Sequence, residues 1–375
     1  MADNIPLVFY RKYRPQRFAD FVNQVPVRQT LQNAIILNKI SHAYLFAGTR
    51  GTGKTTMARL FAKTINCLSP ERNQGTKKPF IEPCNKCESC LDIERGRSID
   101  LIEIDAASNR GIDDIRDLKE NIRFSPVKTK YKVFIIDEAH MLTPPAFNAL
   151  LKTLEEPPKH AILILVTTDA EKLPATILSR VQRFDFKRLP ANDIAKRLEF
   201  IKTKEGINAE PQALHHISQL ADGSIRDAES IFGQVVAFSA DKTITLDEVE
   251  QIVGSIRFEK MQEFLFALAK NNVQESIQYI NNAQNQGLQL YEVIRLATTI
   301  LEKILVLKMD ASFARDLEKE YSLEELETLK TLAQTFDAKK LQKLVREFLN
   351  FIPYIKKSIL PSLPIELAII ETMSE

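Results

Sequence analysis

Up to residue 185, short apolar runs alternate with helix-spaced segments. Residues 42–47 form an apolar run entering a glycine-rich loop, and residues 55–65 follow with helical spacing. Residues 101–104 are apolar, and residues 133–136 are a strand-forming run after Tyr131-Lys132. Residues 146–154 read as a helix stopped by Pro157-Pro158, and residues 161–167 as a continuous buried strand. Strands apolar on both faces, separated by helices, predict a parallel α/β sheet.

Pro190, which follows Phe184-Asp185-Phe186-Lys187-Arg188-Leu189, marks a boundary. From there to residue 247 every segment reads as helical, with starts near Asn192-Asp193, Ala209-Glu210-Pro211 and Ser224. Longer amphipathic helices follow. Leu290, Val293, Ile294, Ala297, Ile300, Leu301 and Ile304 keep the three- and four-residue spacing of a helix stripe. Gly287, Pro353, Pro361 and Pro364 punctuate this region. Residues 68–83, rich in Pro, Lys, Asn and Gly, read as a loop. The expected architecture is α/β plus all-α: a sheet domain over 1–186, a small helical domain over 187–247 and a second helical domain over 248–375.

Composition narrows this picture. The chain has 375 residues, 44% hydrophobic and 27% charged, so packed cores are expected and disorder is not. No apolar run approaches the ~20 residues of a membrane span, and the first residues lack the pattern of a signal peptide. A cytoplasmic protein is the expectation. The net charge of +2 hides an asymmetry. Residues 1–66 hold ten basic and two acidic side chains, whereas residues 241–375 hold sixteen and twenty-one. An anion-binding front end fits this, and so does a solvated face on each part.

Gly48-Thr49-Arg50-Gly51-Thr52-Gly53-Lys54-Thr55 matches G-x-x-x-x-G-K-[ST] between an expected strand and an expected helix. In such a loop backbone N–H groups wrap phosphates, Lys54 supplies a point charge and Thr55 offers a hydroxyl to Mg²⁺. Downstream, Val133-Phe134-Ile135-Ile136 runs into Asp137-Glu138-Ala139-His140. Asp137 would hold the Mg²⁺ shell and Glu138 would activate a water, which suggests hydrolysis rather than binding alone.

All four cysteines fall between 67 and 90. Cys84, Cys87 and Cys90 are spaced by two residues, with Cys67 upstream, and four thiolates complete a tetrahedral structural Zn²⁺ site with no open position. A disulfide fits poorly in a cytosolic ATPase.

Together these residues resemble the bacterial clamp-loader ATPases, the gamma/tau family of DNA polymerase III in the AAA+ class. The carriers are Tyr13-Arg14-Pro15 with Phe18-Ala19-Asp20, His42-Ala43-Tyr44-Leu45-Phe46 before the phosphate loop, the cysteine insertion and Asp100-Leu101-Ile102-Glu103-Ile104-Asp105-Ala106-Ala107-Ser108. To these are added Phe147-Asn148-Ala149-Leu150-Leu151-Lys152-Thr153-Leu154-Glu155-Glu156-Pro157-Pro158, Leu178-Ser179-Arg180 and Gly223-Ser224-Ile225-Arg226-Asp227-Ala228.

The resemblance implies an AAA+ domain with a zinc insertion, a helical lid and a helical collar. It implies ATP contacts at Gly48, Thr49, Arg50, Gly51, Thr52, Gly53, Lys54, Thr55 and Thr56. Thr168 would be the polar sensor, or a capping Thr. Arg180 would be an arginine finger offered to a neighbour's ATP, or a surface ion pair. Arg226 would reach its own subunit's phosphates, or pair with an acid such as Glu229. Arg14 and Pro15 would border the adenine pocket, or pack as an N-terminal strap. Asn109, Arg110 and Gly111, before an expected helix over 112–122, would touch DNA phosphates without reading sequence, or Ser108 or Asn109 would simply cap the helix.

The partners implied are delta and delta-prime subunits, further copies of this chain, a sliding clamp and primer–template DNA, with no membrane. His215, His216 and the acidic run 316–327 carry no chemistry of their own; the run reads as a solvated helix face. The loop from Cys67 to Cys84 is long for the family. The sequence stops at Glu375, where longer members continue into a tail that binds polymerase and helicase; a short form or a trimmed one would both end so, and tail functions are not assigned. Two rival readings stand beside the loader: a branch-migration helicase, and a scaffold using ATP only as an assembly switch.

Overall fold

The computed structural model describes residues 8–73, 80–239, 243–253, 258–318, 321, 323–355 and 358–373. The chain divides into two compact units: residues 1–201 with 218–233, and residues 202–217 with 234–375.

The first unit runs α1 (Phe9–Lys12), α2 (Val25–Ile36), β1 (Ala43–Gly48), α3 (Lys54–Ile65), β2 (Glu71–Asn73), β3 (Phe80–Glu82) and α4 (Glu88–Glu94). It continues through β4 (Leu101–Asp105), α5 (Ile112–Arg123), β5 (Lys132–Asp137), α6 (Pro144–Glu155), β6 (Ala161–Thr167), α7 (Ala175–Leu178) and β7 (Gln182–Phe186). Five strands pair in the order β4-β5-β6-β1-β7, and every pair is parallel.

Alternating side chains of these strands feed two cores. Tyr44, Phe46, Ile135, Ile164 and Val166 pack with Val27 and Leu31 of α2 and with Met57 and Phe61 of α3. Leu45, Phe134, Ile136, Leu163 and Leu165 pack with Ile115 and Leu118 of α5 and Leu150 of α6. Both faces are therefore dry, which is why β1, β5 and β6 read as unbroken apolar runs.

The structure departs from the sequence reading in three places here. The segment 68–83 is not all loop: β2 and β3 pair antiparallel, Glu71 opposite Glu82 and Arg72 opposite Ile81. Strands of three residues carry too little periodicity to be seen in sequence; residues 74–79 lie outside the described set. β7 lies at the sheet edge, where Phe184 and Phe186 are buried between exposed Arg183 and Asp185. The helix over 112–122 is present as α5, but its cap is Gly111, whose N–H meets Asp114 Oδ2 at 3.0 Å.

Past β7 come α8 (Ala191–Glu205), β8 (Asn208–Ala209), α9 (Pro211–Leu220), α10 (Ile225–Phe238) and β9 (Thr243–Ile244). This stretch is not wholly helical, since β8 and β9 form a two-residue parallel ladder inside the second unit. That unit adds α11 (Leu246–Val253), α12 (Phe258–Ala269), α13 (Val273–Asn285), α14 (Leu290–Met309), α15 (Ala314–Leu317), α16 (Leu323–Thr335), α17 (Ala338–Ile355) and α18 (Leu363–Met373).

The expected stripe of α14 is buried at all seven positions, against α16, α17 and their neighbours. Pro353 lies inside α17 rather than at a break. It forfeits one bond to the Leu349 carbonyl only two residues from the helix end, where little helix remains to distort. Pro364 is the second residue of α18, where a backbone N–H has no intrahelical partner, so the proline costs no hydrogen bond. No helix among the described residues is long and apolar enough to cross a membrane.

Leu301 is fully buried at the centre of the stripe. Leu301→Ala is expected to lower unfolding stability by about 2–5 kcal/mol, measured by urea denaturation, whereas Glu302→Ala on the exposed side should change it by less than about 0.5 kcal/mol.

Candidate functional site

Parallel register brings the carboxyl ends of β1, β5 and β6 to one edge: Ala47 pairs with Thr167, and Ile136 with Leu165. Three segments leave the sheet there. The glycine loop follows β1, Asp137-Glu138 ends β5, and Thr168 follows β6.

The loop is held by its own hydrogen bonds. Lys54 is buried, and its ammonium donates to the carbonyls of Gly48 and Thr49 at 2.7 and 2.8 Å. Thr52 Oγ1 donates to the Thr49 carbonyl at 2.8 Å. Burial lowers the Lys54 pKa, and the carboxylates of Glu138 and Asp137 oppose that shift.

Three glycines of the loop are obligatory: Gly48 has φ +142°, and a Cβ there would lie 2.3 Å from the Phe186 carbonyl oxygen. Gly53 has φ +96°, and a Cβ there would lie 2.5 Å from the ring of Phe21. Gly51 has φ +76°, and a Cβ would lie 1.8 Å from Ser224 Oγ at the start of α10. The loop is thus pressed between the N-terminal segment and α10.

Thr55 Oγ1 donates to Asp137 Oδ2 at 2.8 Å, so hydroxyl and carboxylate form one oxygen cluster of the kind that holds Mg²⁺. Glu138 adopts the left-handed region, φ +49°. This turns its side chain to Thr168, whose Oγ1 donates to Glu138 Oε2 at 3.1 Å. His140 Nδ1 lies 3.5 Å from the same carboxylate and 3.0 Å from Thr167 Oγ1.

Beside this edge lies a groove of about 710 Å³. Arg14 and Pro15 line it with Tyr13, Val22, Arg197 and Phe200. Arg14 is held below the usual arginine range by burial, then by Arg59. Arg197 of α8 is buried; it donates to the Tyr13 carbonyl, and its Nε meets Glu229 Oε1 at 2.9 Å. Burial pushes the Glu229 pKa up to about 7, against the pull of Arg197.

Arg226 therefore does not pair with Glu229. Its guanidinium lies 4.8 Å from the centre of the Tyr10 ring, and its hydrogen bond lowers the Tyr10 pKa.

Arg180 is separate from the loop of its own chain in its contacts. It donates to the Thr176 carbonyl, Ser179 Oγ and Glu155 Oε1 at 2.8, 3.1 and 2.7 Å. Before α5, Arg110 is exposed and bonds the Ala107 carbonyl, while Ser108 and Asn109 bond Asp105. The first turn of α5 carries Asp113 and Asp114. These acids offset the positive end of the helix dipole.

The four sulfurs of Cys67, Cys84, Cys87 and Cys90 lie within 4.8 Å of one another. Ligands about 2.3 Å from a tetrahedral zinc stand about 3.8 Å apart, so the cluster fits this ion. Backbone N–H groups of Cys84 and Cys87 donate to Cys67 Sγ and Cys84 Sγ, each at 3.3 Å. Burial opposes ionisation of Cys84, but the N–H groups of Lys86 and Cys87 and neighbouring thiols lower its pKa to about 6. Burial pushes the Cys67 and Cys90 thiols up.

Several close neighbours are not singled out by the sequence reading: Tyr10, Phe21 and Arg197 meet their partners across long chain separations, and no local pattern marks them. Only His140 had a local cue, its place directly after the acid pair.

Three family models match in succession: DNA polymerase III, delta subunit, over 23–190; DNA polymerase III clamp loader subunit, ATPase lid domain, over 193–241; and DNA polymerase III subunits gamma and tau domain III, over 244–374. The DNA polymerase III subunit gamma of Buchnera aphidicola subsp. Schizaphis graminum is 39% identical over 303 residues, 80% of each chain. The subunit tau of Bacillus subtilis is 41% identical over 336 residues, 90% of this chain and 58% of that one. This chain spans about half the length of the tau relatives it matches. The RuvB branch-migration motor of Thermotoga maritima superposes with a TM-score of 0.47 at 16% identity, over 68% of this chain and 79% of that one.

Sheet order, glycine loop and acid pair define a P-loop protein of the AAA+ class, with an added cysteine module. The chain belongs to the DNA polymerase III gamma/tau family of clamp-loader subunits.

Two measurements test the site chemistry. The purified chain is expected to hold one zinc by elemental analysis, and Cys84→Ser to hold nearly none, with a lower melting temperature. For Glu229, the folded chain keeps a proton that the unfolded chain releases near pH 4.5. Its contribution is full below pH 4.5 and is lost as pH rises towards 7. Urea midpoints of the wild type should therefore fall relative to Glu229→Gln across that window.

Proposed function

We propose that the chain is the ATP-hydrolysing subunit of a clamp loader. ATP phosphates sit on the loop from Gly48 to Thr56, with Lys54 exchanging loop carbonyls for phosphate oxygens. Thr55 and Asp137 would hold Mg²⁺, which supplies charge neutralisation on the phosphates when bound. Glu138 takes a proton from the attacking water, and Thr168 fixes the carboxylate that does so. His140 lies beside the same carboxylate oxygen. Arg226, at the start of α10, links lid position to the bound nucleotide, and the groove at Arg14 and Pro15 receives adenine. Zinc on the four cysteines is structural.

One observation carries this reading most directly: Glu138 and Thr168, thirty residues apart, are hydrogen-bonded beside the Thr55–Asp137 pair. A scaffold that only binds ATP needs no such base. Arg180 bonds Thr176, Ser179 and Glu155 rather than its own loop, which fits a finger offered across a subunit junction. The domains proposed are the ATPase core over 1–186, the lid over 187–247 and the collar over 248–375. The assembly is a ring of this chain with delta and delta-prime subunits, in the cytoplasm as part of the polymerase III holoenzyme. ATP binding opens the sliding clamp on primer–template DNA, and hydrolysis releases both. Backbone contact with DNA by Asn109, Arg110 and Gly111 draws on exposed Arg110 and works against Asp113 and Asp114.

Steady-state ATPase of the chain with its loader partners should rise strongly only when clamp and primed DNA are both present. Arg180→Ala should remove about 10³-fold of that rate. Glu138→Gln should keep nucleotide binding and lose turnover, and Lys54→Ala should lose binding. Full stimulation by DNA without clamp would favour a branch-migration motor; unstimulated turnover in every mixture would favour the scaffold.

A further inference from the structure

The cysteine module is tied to the N-terminal strap by contacts that no zinc chemistry requires. Glu82, at the end of β3, is 6% exposed. Its carboxylate accepts the N–H groups of Phe18 and Ala19 at 2.6 and 3.0 Å. Gln32 of α2 donates to the Ile81 carbonyl and to Glu82 at 3.0 and 3.4 Å. Arg17 reaches Glu71 on β2 at 3.1 Å.

A second tie runs through α3. Lys63 is 3% exposed, donates to Gln16 Oε1 at 2.6 Å and lies 3.7 Å from Glu94, the last residue of the helix that carries Cys90. Gln16 lines the groove, and so do Tyr13, Arg14, Pro15, Asp20 and Val22 of the same strap.

The strap has no strand of its own. Between α1 and α2 it contains only a three-residue turn of helix, Phe18–Asp20. Its backbone is fixed from outside: Glu82 takes two of its N–H groups, and Arg28 takes the carbonyls of Phe18 and Phe21 at 2.9 and 3.0 Å. The hairpin that presents Glu82 is three residues per strand, too short to stand alone. It is bracketed by Cys67 and Cys84, so the sulfur cluster sets where Glu82 lies.

We infer that the four-cysteine module positions the wall of the base-binding groove, with Glu82 as its positioning residue. This rests on reading the groove as the adenine site. Phosphate binding uses the loop after β1, which meets the strap at Phe21, and the carbonyl of Phe21 is held by Arg28 rather than by Glu82. Cutting the tether should therefore weaken recognition of the base and spare recognition of phosphates.

The experiment titrates the full chain calorimetrically with ATPγS and with inorganic tripolyphosphate, in wild type and Glu82→Gln, with zinc content measured on the same samples. The amide keeps the side chain's size but offers a donor where two N–H groups need acceptors. The expected result is a rise of about threefold to tenfold in the Kd for ATPγS, an unchanged Kd for tripolyphosphate and unchanged zinc. Equal weakening of both ligands, loss of zinc, or no change in either would overturn the inference. A wild type that binds ATPγS no better than tripolyphosphate would overturn the adenine-groove reading itself. If Glu82→Gln does not fold, Gln32→Ala cuts the same tether more gently and is judged by the same outcomes.

Discussion

Parallel pairing of β1 between β6 and β7 is the constraint on which the first unit depends. It forces the strands to end together, so the glycine loop, the acid pair and Thr168 leave the sheet at one edge. The chemistry of this edge follows from side chains that are not near one another in sequence. Thr55 and Asp137 are eighty-two residues apart and share a hydrogen bond of 2.8 Å. Neither could be placed without the register that sets Ala47 beside Thr167. Ligand sites of open α/β sheets lie at this edge for the same reason.

The glycine loop meets a second constraint from outside the sheet. Phe21 and Ser224 each occupy the volume that a side chain on Gly53 or Gly51 would need. The loop is therefore shaped by the strap on one side and α10 on the other. Arg226 and Arg197 extend this contact, one over Tyr10 and the other between Glu229 and the Tyr13 carbonyl. Anything that moves α10 is felt at Gly51 directly.

Much of the fold is legible in the residues because burial on both faces leaves long apolar runs. The strand over 161–167 is read to the residue, and the seven stripe positions of α14 are all buried. Edges are harder. β7 buries only Phe184 and Phe186, and β2 and β3 are three residues each, too short for a period to show. At the site, the loop and the acid pair are contiguous motifs and visible as such. The framing side chains are not, because Arg197 to Tyr13 or Glu82 to Phe18 is a tertiary contact between residues far apart in the chain. The helix cap at Gly111 eluded the sequence because the side chains of Ser108 and Asn109 turn back to Asp105, while Asp114, three residues on, accepts the N–H of Gly111.

The ion pair between Arg180 and Glu155 carries a consequence for how subunits could part. Its members are 34% and 50% exposed, and an exposed pair of this kind is worth less than about 1 kcal/mol. A guanidinium parked on such a carboxylate is already stripped of part of its water. If Arg180 is the finger proposed above, leaving Glu155 would cost less than about 1 kcal/mol, and Glu155 would be left facing solvent rather than stranded in a core. In the assembly proposed above, an arm held this weakly would be released and recovered without any part of the fold having to melt.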